Sequence, residues 1–227
     1  MDGNEFVNKL KAENEAILAK IDEPPLSSGV TNGGISSGGI PNGEMLATLI
    51  KMALKNEIEA AEIAAEWVST TPELHAKLAL ARHAGDEARH YQLIEEKARA
   101  LGISLDGFRP LDPPSPVLKY LRTLTSTAER IAAALVAREA MGGRRNVQFL
   151  AFLDRIGQRD LASLYRDVIN PDEDLHHRSG CAVLAELASA PEAQQAARRA
   201  ALGLLETGDR VRSNALQTTG APVIPGC

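Results

Sequence analysis

The sequence predicts an all-α fold. Apolar residues make up 44% of the chain, whereas aromatic residues make up only 4%. Most of the apolar residues are alanine and leucine, which have high helix propensities. No run of alternating valine, isoleucine and threonine indicates a strand. Several long segments instead carry apolar residues at spacings of three and four, which is the period of a helix packed on one face.

The overall composition narrows the class of protein. The net charge of −5 argues against a nucleic-acid partner and against an anionic membrane surface. No apolar segment is long enough to predict a membrane span, and the start of the chain lacks the apolar centre of a secretory signal. The two cysteines, Cys181 and Cys227, are too few for a four-cysteine metal site. We therefore expect a cytoplasmic protein without a membrane partner.

Helix-breaking residues divide the chain into five parts. An amphipathic helix is predicted over 1–22, and a Gly/Ser/Pro-rich arm over 23–43, in which no packed helix forms. A helical bundle is expected over 44–189, a further helix over 190–217 and a flexible tail over 218–227. Because the arm would let the first helix reach a neighbouring chain, we expect a homodimer.

Four long helices are predicted within the bundle. Thr71 is the expected N-cap of the second helix, and Gly102 ends that helix. A long loop, ISLDGFRPLDPPSP, could then cross from one end of the bundle to the other, and Gly142–Gly143 could disturb the third helix. Two helical hairpins joined by one crossover are a known bundle layout. The expected helices span 44–69, 72–101, 115–156 and 160–189.

Each predicted helix of the bundle carries a glutamate inside its apolar stripe. A buried carboxylate without a partner is costly, so these glutamates require one. In two of the helices a histidine follows the glutamate three residues later, and residues at this spacing project from the same helix face. The side chains concerned are Glu57, Glu87 with His90, Glu139, and Glu173 with His176.

Within each predicted hairpin, the two glutamates lie at the same height along the helices. In an antiparallel hairpin, residues equidistant from the turn lie level. The midpoint of Glu57 and Glu87 falls at the first predicted turn, and that of Glu139 and Glu173 falls at the second. Glu129, the competing acid of the third helix, would place the second turn inside a helix, so Glu139 is preferred.

The stretch NPDEDLHH places Pro171 inside the fourth predicted helix. Proline lacks a backbone donor and clashes with the preceding helical turn. We therefore expect a kink or bulge over 168–172 that makes this half of the site differ from the half around DEARH. Asp172, Asp174 and His177 are expected to face outward.

One glutamate from each of two helices, together with a Glu-x-x-His from each of the other two, resembles the ligand set of ferritin-like di-iron and di-manganese carboxylate proteins. The resemblance covers 44–189 and implies a ferritin-like four-helix bundle with extra N- and C-terminal helices. It also implies two bound iron ions, with manganese as the alternative. By this resemblance Glu57 and Glu139 are terminal ligands, Glu87 and Glu173 bridge the metals, and His90 and His176 each bind one metal.

Rubrerythrins, one branch of that superfamily, carry a four-cysteine site. The two cysteines of this chain cannot form such a site, so the chain does not match that branch. The runs AREAMGGRRNVQFL and SLYRDVINPDEDLHH resemble the second hairpin of the tRNA-hydroxylating branch, which continues as plain helix where this chain has Pro171. The acidic net charge argues against a tRNA substrate, although five arginines could form a local basic strip. They are Arg138, Arg144, Arg145, Arg155 and Arg159.

The resemblance implies activation of O₂ or peroxide, and we expect an oxidoreductase that oxidises or hydroxylates a small organic molecule. One alternative is iron handling without an organic substrate, as ferroxidase, storage or peroxide removal. A second is a helical interaction protein with a structural metal site. His83, one turn before Glu87, is a candidate neighbour of the ligands or an extra ligand, and Tyr91 and Tyr165 are candidate redox neighbours. The sequence does not identify the substrate or the electron donor.

Overall fold

The computed structural model describes residues 1–22, 42–221 and 224–226, and every regular element within these ranges is helical. The all-α prediction is therefore confirmed for this part of the chain, and most of the predicted arm lies outside it. Among the same residues no helix is long and apolar enough to cross a membrane. The elements are α1 (Gly3–Asp22), α2 (Asn42–Val68), α3 (Leu74–Ala100), α4 (Pro116–Leu121), α5 (Thr127–Ile131), π1 (Ala132–Arg138), α6 (Glu139–Arg155), α7 (Arg159–Leu164), π2 (Tyr165–Ile169), α8 (Asn170–Leu187) and α9 (Pro191–Thr219), where π1 and π2 are π-helical.

The first hairpin, α2 and α3, follows the predicted pattern closely. The buried face of α3 contains Leu80, His83, Glu87, His90 and Ile94, which recur every three or four residues as the sequence indicates. The predicted cap is wrong. Glu73 occupies the N-cap position without a side-chain hydrogen bond, whereas the hydroxyl of Thr71 donates to the carbonyl of Trp67 at 2.8 Å.

The third predicted helix is divided. Ser115 caps the short helix α4, which ends at Leu121. A second start follows at Ser126, whose side chain accepts a hydrogen bond from the backbone N–H of Glu129 while the Glu129 carboxylate accepts one from the backbone of Ser126. This reciprocal capping box has the sequence signature Ser-x-x-Glu, and it starts a new helix even where the apolar period continues.

Two π-helical segments interrupt the second hairpin. α5, π1 and α6 follow one another directly, as do α7, π2 and α8. The disturbance expected at Gly142–Gly143 does not occur, since α6 continues through both residues. The bulge expected before Pro171 is confirmed: π2 ends at Ile169, so the helical hydrogen-bond pattern changes directly before the residue that lacks an N–H.

Two apolar clusters lie on either side of a buried polar layer. Along α3, Leu80 belongs to one cluster and Ile94 to the other, with Glu87 between them. Along α2, Ile50 and Ile63 occupy the corresponding positions on the two sides of Glu57. The apolar layers exclude water from the middle of the bundle, which is where the carboxylates lie.

The outer helices α1 and α9 cover the second hairpin. The apolar side chains of α1, among them Phe6 and Leu10, are buried against the chain's own core. Ion pairs from Glu15 to Arg144 (2.7 Å) and from Glu13 to Arg198 (2.6 Å) hold its polar side. The helix that suggested a homodimer therefore finds its packing partner within its own chain.

The predicted arginine strip does not form as a surface. Arg138 and Arg145 are buried. Their guanidinium groups donate hydrogen bonds of 2.9 Å to the carbonyls of Asn56 and Gly208, respectively. These two arginines therefore connect helices inside the bundle, and they are not available to a nucleic-acid backbone.

Gly180 allows α8 to approach π1 closely. A methyl group at Gly180 would lie 2.9 Å from the carbonyl oxygen of Leu135 and closer still to its Cβ atom. We expect Gly180→Ala to lower the free energy of unfolding by about 1–3 kcal/mol, because the helices must separate. Gly143→Ala, where nothing lies within 4 Å, should instead be neutral or raise it by up to ~1 kcal/mol. Urea titrations of both variants test the close approach, and equal effects would contradict it.

Candidate metal centre

The six ligand candidates and His83 meet in the polar layer at the middle of the bundle. All seven side chains are buried, with exposures of 2% or less. Their donor atoms form two groups of four, and within each group the atoms lie within 4.8 Å of one another. One group contains Glu57, Glu87, His90 and Glu173, and the other contains His83, Glu87, Glu139 and His176. Glu87 belongs to both.

The first group joins α2, α3 and α8. Nδ1 of His90 lies 3.4 Å from Oε2 of Glu57 and 3.8 Å from Oε2 of Glu87. Glu173 completes the group from α8. The Glu-x-x-His spacing on α3 thus places a carboxylate and an imidazole side by side, as the sequence predicts.

The second group contains two imidazoles. Nδ1 of His176 lies 3.3 Å from Oε1 of Glu87 and 3.8 Å from Oε2 of Glu139. Nε2 of His83 lies 2.9 Å from Oε1 of Glu139 and 3.3 Å from Oε1 of Glu87. The two rings meet edge to face, with centroids 4.7 Å apart. His83 is therefore part of the donor group itself, which distinguishes this group from the first.

The spacing of the donors suits a metal better than it suits direct hydrogen bonds. Among the described residues, both carboxylate oxygens of Glu57 and of Glu87 have no hydrogen-bond partner, and neither has Nδ1 of His90 or of His176. These atoms nevertheless face each other at 3.3–3.8 Å. Ligands bound about 2.0–2.2 Å from one ion lie roughly 3.0–3.5 Å apart. The donor set is thus of the right chemistry and nearly the right spacing to hold a metal ion in each group.

Two aspartates fix the outer nitrogens of the histidines, and they do so across the bundle. Asp172 on α8 lies 3.1 Å from Nε2 of His90 on α3, while Asp86 on α3 lies 3.0 Å from Nε2 of His176 on α8. Each Nε2–H can donate to its aspartate, which leaves Nδ1 free to face the carboxylates. The expectation that Asp172 faces outward is therefore wrong, because its carboxylate turns toward the buried His90. The sequence signal is the repeated Asp-Glu-x-x-His, in which the aspartate precedes each glutamate.

Without a metal, the pKa values show how the cluster shares protons. Burial and the neighbouring Glu87 raise the pKa of Glu57 to about 8. Burial would lower the pKa of His90, but the nearby carboxylates of Glu57 and Glu87 outweigh it and raise the pKa to about 12. The pKa of His176 is raised to about 11 in the same way, by Glu139 and Glu87. Burial is likewise outweighed at Glu139, where the nearby rings of His176 and His83 lower the pKa to about 2. Protons thus supply the positive charge that these carboxylates need.

The tyrosines take packing positions. Tyr165 is buried in the apolar cluster beyond the polar layer, with its ring edge-on to Phe149 at 5.0 Å between centroids. Tyr91 is partly buried and packs against the same cluster, and burial raises its pKa. Their redox role therefore stays a prediction.

Two polar residues differ from expectation. Glu59 lies outside the apolar stripe that contains Glu57, and such a position predicts a solvated side chain. It is instead buried and accepts hydrogen bonds from Ser115 N (2.8 Å) and Lys55 Nζ (2.9 Å). His177 is partly buried with Nδ1 3.1 Å from Val136 O, and burial lowers its pKa. Asp174 is exposed, as predicted.

The role of the contact between Asp172 and His90 in metal binding can be tested by substitution. We expect Asp172→Asn to weaken Mn(II) binding by about 10–100-fold, because the amide no longer holds the His90 ring as a carboxylate does. Asp174→Asn, on the exposed side of the same helix, is the matched control and should leave binding unchanged. Titration followed by electron paramagnetic resonance measures both. Equal affinities for the two variants would show that the contact with His90 has no role in metal binding.

No family model matches this chain, and neither a curated protein nor a solved structure matches it. The interpretation of the centre therefore depends on its own geometry.

Proposed function

We propose that the protein is a ferritin-like di-metal carboxylate oxidoreductase that holds two iron ions, or two manganese ions, and uses O₂ or peroxide to oxidise a small organic molecule. The observation that carries the proposal is the pair of buried four-donor groups that share Glu87. Two groups that share a carboxylate, enclosed between apolar layers, are the arrangement that a di-metal site requires.

The residues divide between two metal positions. Glu57 and His90 serve one position, while Glu139, His176 and His83 serve the other. Glu87 lies in both groups, and it would be the carboxylate that the two metal positions share. Glu173 belongs to the first group, and the bridging role that the resemblance implies for it is part of the proposal.

The donor chemistry favours iron or manganese. Carboxylate oxygens and imidazole nitrogens suit both metals. Bound iron or manganese would supply the electron transfer to O₂ or peroxide, which side chains alone do not provide. The chain's own residues hold the donors in place, orient the imidazoles through Asp86 and Asp172, and keep bulk water away.

The helix order supports the ferritin-like assignment. α2 and α3 form one hairpin, the composite helices α5–π1–α6 and α7–π2–α8 form the other, and the segment from Gly102 to α4 connects them. Each hairpin contributes a lone glutamate and a Glu-x-x-His. π-helical turns in α-helices are frequent at functional sites, and here π1 ends immediately before Glu139 while π2 ends shortly before Glu173.

A cavity of about 580 Å³ supports an organic substrate over iron handling: its lining includes Asn56 and Ile224 but none of the donor residues, and Gly226, two residues after Ile224, lies against Glu57. Glu57 also directly follows Asn56 along α2. Ligand pockets in proteins commonly measure about 300–1,000 Å³, so the cavity has room for a small molecule.

Metal content tests the proposal directly. We expect reconstituted protein to hold two iron or manganese ions per chain, and Glu87→Gln to lose both, because the amide cannot bridge two cations. Glu62→Gln, at a partly exposed position on α2, should keep both. Elemental analysis after gel filtration measures the stoichiometry. Less than one metal per chain in the unchanged protein would contradict the di-metal assignment.

A separate prediction concerns His83. His83→Gln should weaken binding at one position by about 10–100-fold and leave the other position unchanged, since only one group contains His83. His75→Gln, at an exposed position of the same helix, is the control. A calorimetric titration with Mn(II) should resolve one strong and one weakened step. Two unchanged steps would show that His83 is not a ligand.

A further inference from the structure

The cavity next to Asn56 has a mainly apolar lining. It lies between α2, the loop that precedes α4, the end of α9 and segment 224–226. Its volume is about 580 Å³. The apolar side chains that line it include Met52, Phe108, Val211, Ala215 and Ile224. Such a surface favours a ligand that buries apolar area when it leaves water.

The charged groups of the lining do not favour an ion. Lys55 is already saturated: Nζ lies 2.6 Å from Pro110 O, 2.7 Å from Pro113 O and 2.9 Å from a Glu59 carboxylate oxygen. Arg109 and Asp112 are exposed and of opposite sign. The remaining charges of the lining therefore offset one another, and the chemistry that fits is uncharged.

A thin wall separates the cavity from the carboxylates. Ile224 lines the cavity, and Gly226 lies against Glu57 so closely that a Cβ atom there would be 3.0 Å from Oε1. Two hydrogen bonds of 2.9 Å hold the wall: the Asn56 amide donates to Pro225 O, and Gly226 N–H donates to Oδ1 of Asn146. Segment 224–226 thus touches the cavity on one side and a metal-ligand candidate on the other.

We propose that this cavity binds a small, uncharged, mainly apolar organic molecule, and that segment 224–226 is the wall that separates the molecule from Glu57. The assignment of this molecule as the substrate rests on the proposed function. The binding itself does not, because it depends only on the cavity. The wall explains how a buried centre could be reached: the segment has to shift by a small distance, whereas the helices can stay in place.

Binding is tested on the metal-free protein with 1-aminoanthracene, an uncharged apolar probe that fluoresces when it leaves water. We expect saturable binding that decan-1-ol displaces at roughly tenfold lower concentration than decanoate or decylammonium. Val211→Trp should weaken probe binding by about tenfold or more, because the indole occupies part of the cavity. Val147→Trp, at an exposed position of α6, is the matched control and should keep it. Absence of binding, or equal binding by the two variants, would overturn the proposal.

The wall is tested on the iron-loaded protein with 2,2′-bipyridine, a small uncharged chelator. Gly226 has φ +84, so Gly226→Ala strains the segment and pushes it away from Glu57. We expect faster removal of Fe(II), and Val211→Trp in the same chain should restore the slow rate by blocking the route. Gly157→Ala carries the same backbone strain (φ +75) with nothing within 4 Å and should not change the rate.

An unchanged rate in Gly226→Ala, or a fast rate that Val211→Trp does not reduce, would refute the wall. If the unchanged protein holds no iron, the proposed function fails, and the outcome of the probe titration still decides whether the cavity binds an apolar molecule.

Discussion

The rest of the structure depends on the burial of Glu87. Its carboxylate lies at the middle of the bundle, shared between two groups of buried acids and histidines. An isolated buried carboxylate is costly, and several at one place are more so, unless positive charge accompanies them. In the metal-free state, protons on the histidines and on Glu57 provide that charge, as the raised pKa values of these groups show. Two divalent cations would provide it with all donors deprotonated, and the resting spacing of the donors suits that state.

The two halves of the centre are related but unequal. Helices α3 and α8 each carry Asp-Glu-x-x-His, and the aspartate of each helix lies within hydrogen-bond distance of the histidine of the other. The glutamate and histidine of α8 nevertheless fall into different donor groups, whereas those of α3 share one. Only the second half has His83, and only the second hairpin contains π-helical turns. The π-turn directly before Pro171 changes the helical hydrogen-bond pattern at the point where the proline lacks an N–H, so the helix continues to Glu173 and His176. Because their donor sets differ, the two proposed metal positions should differ in affinity.

Much of the centre could be predicted from sequence because a buried carboxylate stands out on an apolar stripe. The level heights of the acids followed from turn positions alone. Asp86 and Asp172 were missed because their helix positions predict solvent exposure, and only the packing of α3 against α8 shows that each faces a histidine of the other helix. The break before Ser126 was missed although its capping signature is local. The cavity could not be predicted, since it arises where a loop, α9 and segment 224–226 meet, and no periodicity specifies such a meeting.

The central claim is that two metal ions lie on either side of Glu87. Anomalous diffraction from crystals of iron-reconstituted protein, recorded above and below the iron absorption edge, tests it most directly. The account predicts two peaks in the polar layer, one among Glu57, His90 and Glu87 and the other among His83, Glu139, His176 and Glu87. A polar layer without any anomalous peak, or a single peak with the second donor group joined by hydrogen bonds, would contradict it.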